Sequence, residues 1–392
     1  MKSKQTAPLT LRRTVALLLV LLMALTCLAS CTYRAIPAGK GALRSVGLVG
    51  SEAVTYEEFY FLCQNYRDEL DDTLGEGNYT AEDVMELVTE YVVANPIVLA
   101  ICRDAGLEYD EDALRAQVDD AVKDQIVSDH GDDRAKYIEW LNATHMTDHY
   151  YRYSLGVSLL YGRLLTAYLE NGTIPADDAE MLVYAKENFV RTRHIAIYFD
   201  ENDEEARAEK LARAEAALAT VRERGFDAGM QYSEDFGLAT ADSYYLFESA
   251  MEPEYAAAVH ALGAGEISGI VESRGTNAQG AEMGCFYVIE RLSMEDKALT
   301  AKLDQLRDDA CDAIAYEKYE RYLTEMRFVP NAYCKSLDLL KLEAPERGAD
   351  PLTVGILAGV GIGVAVIALT VVTVVVLKKR QIAKRALIKK KP

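Results

Sequence analysis

Two groups of residues in this chain stand in patterns that suggest chemistry. His145 and His149 are spaced i, i+4 with Asp148 between them, which on a helix would put two imidazoles on one face for a metal. No third ligand stands nearby and no His-Glu-x-x-His pattern is present, so no metal site is expected. The second group is spread over about a hundred residues: His194 within Thr192-Arg193-His194-Ile195-Ala196-Ile197-Tyr198, Asp235 closing Gln231-Tyr232-Ser233-Glu234-Asp235, Met251 and Tyr255 at helical spacing, and Tyr287 within Cys285-Phe286-Tyr287-Val288-Ile289. Taken singly, each has a structural reading: His194 as a satisfied core histidine, Asp235 as a helix or turn cap, Met251 and Tyr255 as ordinary core residues. A tyrosine both donates and accepts hydrogen bonds, so a link from His194 to Tyr287 would tie the two strands' side chains together.

The elements that must hold these residues alternate between strand and helix. A strand through His194 is followed by a charged helix over 203–224 that stops at Gly225, then an aromatic-rich segment, a helix over 253–262, a Gly-rich turn and a last strand through Tyr287. Residues from about 185 to 293 should form a domain with a central antiparallel sheet, the His194 strand beside the Tyr287 strand. Upstream, residues 44–182 read as one short strand and then helices. Thr55 with Glu58 three residues on is a capping-box pattern, and further helices are expected near 81–105, 110–128, 135–143 and 147–170, with Gly106, Gly131 and Gly172 as punctuation. Downstream, 295–326 is an amphipathic helix that needs a partner.

The order of motifs from His194 onward resembles parvulin-type peptidyl-prolyl isomerases, whose chains carry an R-x-R-H-I-L strand, S-x-D, M-x-x-x-F, L-x-x-G-E-I-S and a final H-I-I strand. The matching stretches here are Arg191 to Ile197, Ser233 to Asp235, Met251 to Tyr255, Leu262 to Ser268 and Phe286 to Ile289. The helical part resembles the chaperone domain of SurA- and PrsA-like extracytoplasmic foldases, notably at Val46 to Phe59 and Ala105 to Leu114. The resemblance implies an α+β chain: a mostly helical chaperone domain at 44–182, an inserted parvulin-like domain of small antiparallel sheet and helices at 183–293, and a returning helical segment at 294–340. It also implies roles, with His194, Asp235 and Tyr287 catalytic and Met251 and Tyr255 holding the proline ring. Tyr287 stands where the family has its second histidine, and Thr240 to Leu246 replaces a G-G-D-L-G-Y-F run. No cofactor is implied.

The chain's ends bear on location. Lys2, Lys4, Arg12 and Arg13 precede an apolar run at 15–26, the layout of a secretory signal, and Leu28-Ala29-Ser30-Cys31 is similar to a lipobox, which implies removal of residues 1–30 and acylation of Cys31. The alternative is a plain signal peptide or an uncleaved anchor. After a tether at 341–351, residues 352–377 carry no charge and are long enough to cross a hydrocarbon core of ~30 Å. The tail at 378–392 carries eight Lys and Arg, which predicts a cytoplasmic tail and an ectodomain outside the cell membrane. Gly355, Gly359 and Gly363 form a ridge on which two such helices could associate into a homo-oligomer.

Without these ends, 30 Lys and Arg stand against 62 Asp and Glu, a net charge of −32, which excludes nucleic acid as a natural partner. Cys63, Cys102, Cys285, Cys311 and Cys334 show no C-x-x-C spacing, so neither a disulfide framework nor a zinc site is readable. Of the 24 tyrosines, Tyr150, Tyr151, Tyr153, Tyr161 and Tyr168 cluster, and amphipathic rings of this kind suit either a groove for unfolded chains or a core with hydroxyls at its surface. The expected function is that of a membrane-anchored foldase that isomerises X-Pro bonds in newly exported polypeptides. The alternatives are a holdase with a silent isomerase domain and a structural membrane protein that keeps the scaffold.

Overall fold

Side-chain caps set where the helices begin. Thr55 accepts from the Glu58 amide, Thr80 and Asp83 make a reciprocal capping box, and Asp110, Asp133, Asp177 and Asp203 each accept from amides of the following first turn. The helices so started are Tyr56–Leu74, Ala81–Tyr91, Glu111–Ser128, Arg134–Ala143, Asp178–Asn188 and Glu204–Arg224. The structure is a computed structural model and describes residues 33–235, 237 and 243–351. Cys31, the signal-like segment, the apolar run at 352–377 with its glycine ridge, the basic tail and residues 240–242 lie outside the described residues.

Two stretches expected as single helices are broken. Residues 81–105 form Ala81–Tyr91 and Ala94–Asp104, because Pro96 has no amide hydrogen to give Val92 and its ring crowds that carbonyl. Residues 147–170 form Asp148–Tyr161 and Leu164–Glu170, parted at Gly162. Both breaks lie close to where the chain passes between its two units. One unit comprises the residues up to 96, 109–159 and those from 326 on; the other comprises 97–108 and 160–325. The long segment of the second is therefore inserted between stretches of the first. The stretch Ala81–Asp104 is apolar enough to cross a membrane (24 residues, mean hydropathy 1.6). Val84, Val88, Ile97 and Ile101 within it are fully buried, as in a core helix.

The first unit holds a three-stranded antiparallel sheet, β1 (Ser45–Val49) lying between β2 (Glu52–Thr55) and β7 (Phe328–Pro330). Phe59 of the first helix meets Phe328 with ring centroids 6.0 Å apart, which closes the helices over the sheet.

The second unit is built on a four-stranded antiparallel sheet in the order β4 (Tyr244–Phe247), β3 (Phe189–Phe199), β6 (Glu282–Leu292), β5 (Ile267–Thr276). His194 pairs with Ile289 and Ala196 with Tyr287, so the strands through His194 and Tyr287 are neighbours. Alternation sorts β3 between two faces. Ile195, Ile197 and Phe199 pack on Ala214, Ala217, Leu218 and Val221 of the helix Glu204–Arg224. Val190 and Ala196 face Tyr255 and Val259 of the helix Pro253–His260, with Cys285, Tyr287 and Ile289 beside them. The helix Leu303–Glu325 packs on Leu164–Glu170 and Asp178–Asn188 in the same unit, where Arg307 reaches Asp178 at 2.7 Å and the Ala176 carbonyl at 2.9 Å.

Candidate functional site

The face of the sheet under Pro253–His260 is where polar residues interrupt an apolar core. Burying a Val or Ile there would contribute ~1.5–3 kcal/mol, yet β3 places Thr192 (0% exposed) and His194 (9%) on it. Buried polar groups of this kind cost free energy unless they are bonded, and here they are bonded to one another. His194 Nε2 lies 2.9 Å from Asp235 Oδ2 and His194 Nδ1 lies 3.0 Å from the Tyr255 hydroxyl. The Tyr255 hydroxyl is in turn 3.0 Å from Thr192 Oγ1, and Tyr244 donates to Asp235 Oδ2 at 2.8 Å.

Asp235 sets the direction of this chain of bonds. Burial would raise its carboxyl, but bonds from His194, Tyr244 and the Gly237 amide outweigh burial and hold it below the usual carboxylate range. An ionised carboxylate only accepts, so His194 Nε2 carries the proton. In the neutral imidazole Nδ1 then accepts from Tyr255, whose oxygen accepts from Thr192. Burial pushes the Tyr255 and Tyr244 hydroxyls up, Tyr244 further through its bond to Asp235, so both keep their protons.

The five residues singled out in the sequence come together, with one change of partner. Tyr287 touches His194 edge-on, ring centroids 5.0 Å apart, and Tyr255 edge-on at 5.1 Å. Its hydroxyl, however, goes to the Arg274 carbonyl at 3.3 Å, not to His194. Gly275 makes room for it: a Cβ there would fall 2.2 Å from the Tyr287 oxygen. The expected His194 to Tyr287 link is therefore a ring contact, and the hydrogen bond to Nδ1 comes from Tyr255. Met251 is half-buried against the same cluster, with Tyr198 and Leu246. Thr192 and Tyr244 belong to the site as well. Neither was singled out in the sequence: the position of Thr192, two residues before His194 on the same face of the strand, is a signal that could have found it, and Tyr244 carries no such signal.

Nothing in this cluster is a ready nucleophile, since burial pushes the Cys285 thiol up to about 12. The arrangement offers fixed hydrogen-bond donors and acceptors beside apolar rings and a thioether. A cavity of about 600 Å³ in this unit lies elsewhere, lined by Phe199, Glu252, Pro253 and Ser273 with the ion pairs Arg207–Glu272 and Arg274–Glu201.

The other candidates are dispersed. Thr147 Oγ1 accepts from the Tyr150 amide and so starts the helix Asp148–Tyr161, which leaves His145 outside it at φ +60°. His145 pairs with Asp68 at 2.9 Å and His149 with Glu57 at 2.6 Å, so the two imidazoles serve separate carboxylates and do not share a face. Among the tyrosines, Tyr150 and Tyr168 are core residues. Tyr153 instead lines, with Tyr109, Leu114, Val118 and Ile36, a mostly apolar cavity of about 860 Å³ in the first unit.

No protein-family model matches this chain, and no curated protein matches it. Among solved structures it is similar to the foldase PrsA of Lactococcus lactis, at 13% identity over 74% of this chain and 96% of that one, with a TM-score of 0.27. It is similar to the foldase PrsA of Streptococcus pneumoniae, at 13% identity over 71% of this chain and 93% of that one (TM-score 0.31). A third is the peptidylprolyl isomerase PrsA of Bacillus cereus, at 12% identity over 72% of this chain and 92% of that one (TM-score 0.25). These three solved structures are all of PrsA, at 12 to 13% identity to this chain.

Proposed function

We infer that the chain is a membrane-anchored extracytoplasmic foldase whose second unit carries a parvulin-like domain, residues 183–293, that isomerises X-Pro bonds, and whose first, mostly helical unit holds unfolded, newly exported chains. The observation that carries this reading is His194 fixed between Asp235 and Tyr255 at 2.9 and 3.0 Å, beside the half-buried Met251. Turning an X-Pro bond meets a barrier of ~18–20 kcal/mol, because the twisted amide loses its resonance, and no bond is broken. What catalysis requires is a surface for the proline ring and polar groups that favour the twisted amide over the planar one. Met251 with the rings of Tyr198 and Tyr244 supplies the first, and the Asp235–His194–Tyr255 chain the second.

A silent isomerase domain on a holdase is the second reading. It is favoured by the Tyr287 hydroxyl, which stands at the second-histidine position and turns away to Arg274. Refolding of a proline-limited protein, slow by tens of seconds unaided, separates the two when it is followed with and without the full chain in detergent. Acceleration that falls in Asp235→Ala supports the isomerase. Suppression of aggregation with no acceleration supports the holdase, and neither effect would refute both.

A further inference from the structure

Among the charged residues deeply buried in the first unit are Arg134 (5% exposed), Asp148 (2%) and Arg152 (8%). Buried charges cost several kcal/mol each unless they are paired and fully bonded, so what they bond to is informative. Arg152 Nε donates to Asp148 Oδ2 at 2.8 Å and its Nη2 to the Tyr33 carbonyl at 2.9 Å. Asp148 also accepts the Ile36 amide at 2.6 Å and the Tyr137 hydroxyl at 2.7 Å. Arg134 Nη2 lies 2.9 Å from both the Arg34 carbonyl and Asp350 Oδ1. Each of these three thus makes a bond to the short stretch 33–36, Arg134 also to Asp350, while Arg152 bonds Asp119 as well.

Those stretches are also tied to each other. Ala38 and Arg347 form an antiparallel bridge, with Gly39 N–H donating to the Glu346 carbonyl at 2.9 Å and Gly348 N–H to the Pro37 carbonyl at 2.9 Å. The approach is so close that a Cβ on Gly39 would fall 2.2 Å from the Glu346 oxygen, and one on Gly348 2.6 Å from Pro37. Within 341–351, the stretch expected as a tether, residues 346–348 are thus bonded to 37–39, and Asp350 to Arg134. Arg34, Leu43 and Pro351 line the same cavity of about 860 Å³, so the two chain ends leave the unit close together.

Cys31 stands two residues before Tyr33, and the apolar run at 352–377 begins directly after Pro351. We propose that residues 33–39 and 346–351 form a clamp that delivers both anchors, the acylated Cys31 and the apolar run at 352–377, side by side into one bilayer, with the face around Arg34, Leu43 and Pro351 against the lipid. This rests on the anchoring reading above. Once the apolar run has inserted, the clamp holds the acyl chains at the same surface, where a weak lipid anchor acts at high effective concentration.

The test uses the full chain in membranes, with Ala38→Cys and Arg347→Cys together. Directly opposed antiparallel residues stand ~4.5–5.5 Å apart between Cα atoms, within the ~4.4–6.8 Å that a disulfide spans. The five described native cysteines are buried and do not compete. Mild oxidation should link 38 to 347 almost completely, and adding Gly348→Val should cut that linkage several-fold. A dye on Leu43→Cys, a position 51% exposed, should be quenched by quencher-bearing lipids. No 38–347 link in a folded chain overturns the clamp, and a link without quenching at 43 overturns its lipid-facing role. A chain that alkaline carbonate strips from the membrane overturns the anchoring reading instead, while the cross-link still judges the clamp.

Discussion

Replacing Tyr255 by phenylalanine removes one oxygen and keeps the ring. That oxygen makes two bonds of 3.0 Å, to His194 Nδ1 and Thr192 Oγ1, both on residues that are less than a tenth exposed. A typical bond of this kind contributes ~1 kcal/mol net, and a buried group left without a partner costs ~1–3 kcal/mol. The ring contacts with His194 at 5.7 Å and Tyr287 at 5.1 Å survive, so none of the ~3–5 kcal/mol of a truncation to alanine is added. The expected loss is roughly 2–3 kcal/mol in the second unit. The sole tryptophan, Trp140, lies in the first unit, so hydrogen exchange of the β3 amides is the better measure. With Nδ1 unbound the imidazole is no longer held in one orientation, and isomerase activity should fall about tenfold, or ~1.4 kcal/mol of barrier.

The same variant carries the residue that parvulin-type chains have at this position, so by resemblance alone it should be harmless. Tyr287→His, added to Tyr255→Phe, should then restore part of the loss, since an imidazole replacing the Tyr287 ring, which lies 5.0 Å from His194, can supply the missing partner. A cycle with Thr192→Val should show a coupling of about 1 kcal/mol to Tyr255→Phe. Protection of β3 unchanged within ~0.5 kcal/mol, or no coupling to Thr192, would refute the bonded chain from Thr192 to Asp235.

Three further outcomes are expected. Asp235→Ala should lower the rate of proline-limited refolding at least tenfold while suppression of aggregation stays at its original level; equal loss of both would mean that one site serves both. Because the Asp235 carboxyl is held below its ordinary range, its contribution to stability is present above the unfolded carboxylate range of ~4 and is lost as pH falls through the lower folded value; urea midpoints should flatten at acid pH in Asp235→Asn. Glu58 has the opposite sign: burial pushes it up to about 7, against a bond from Asn95, so the fold loses stability as pH rises from about 4.5 through 7, and Glu58→Gln should stabilise the first unit by roughly 3 kcal/mol at pH 8 and not at pH 4, read by urea unfolding on Trp140.

Local patterns made the second sheet and its two covering helices legible. The β3 segment is rich in β-branched and aromatic residues, Gly225 ends the helix Glu204–Arg224, and Asp203 caps it, each a signal within a few residues of its effect. The helix breaks were harder to see because hydrophobic periodicity runs on through Val92–Val93 and Gly162–Arg163. The backbone fault at Pro96 is announced by a single residue. His145 falls between the helices expected at 135–143 and 147–170, and the Thr147 hydroxyl, by capping the second, keeps it outside.

What the sequence could not show lies in atoms that types and spacing leave undirected. Tyr255 was read for its ring because the family position is a phenylalanine, yet its hydroxyl is what closes the hydrogen-bond chain on His194. Tyr287 was read for its hydroxyl because the family position is a histidine, yet its ring is what touches His194. The two tyrosines have exchanged duties, and an exchange of this sort preserves composition and order while moving a hydrogen bond by one helix. The stretch 341–351 is the same case on the backbone. Its Pro and Gly content reads as linker, but Gly348 is there so that the Pro37 carbonyl can approach, a requirement set by a residue more than three hundred positions away. Sequence signals for such contacts lie in the partner and not in the neighbourhood, so cysteine pairing at 38 and 347 and the Tyr255→Phe cycle probe the parts of this fold that periodicity could not reach.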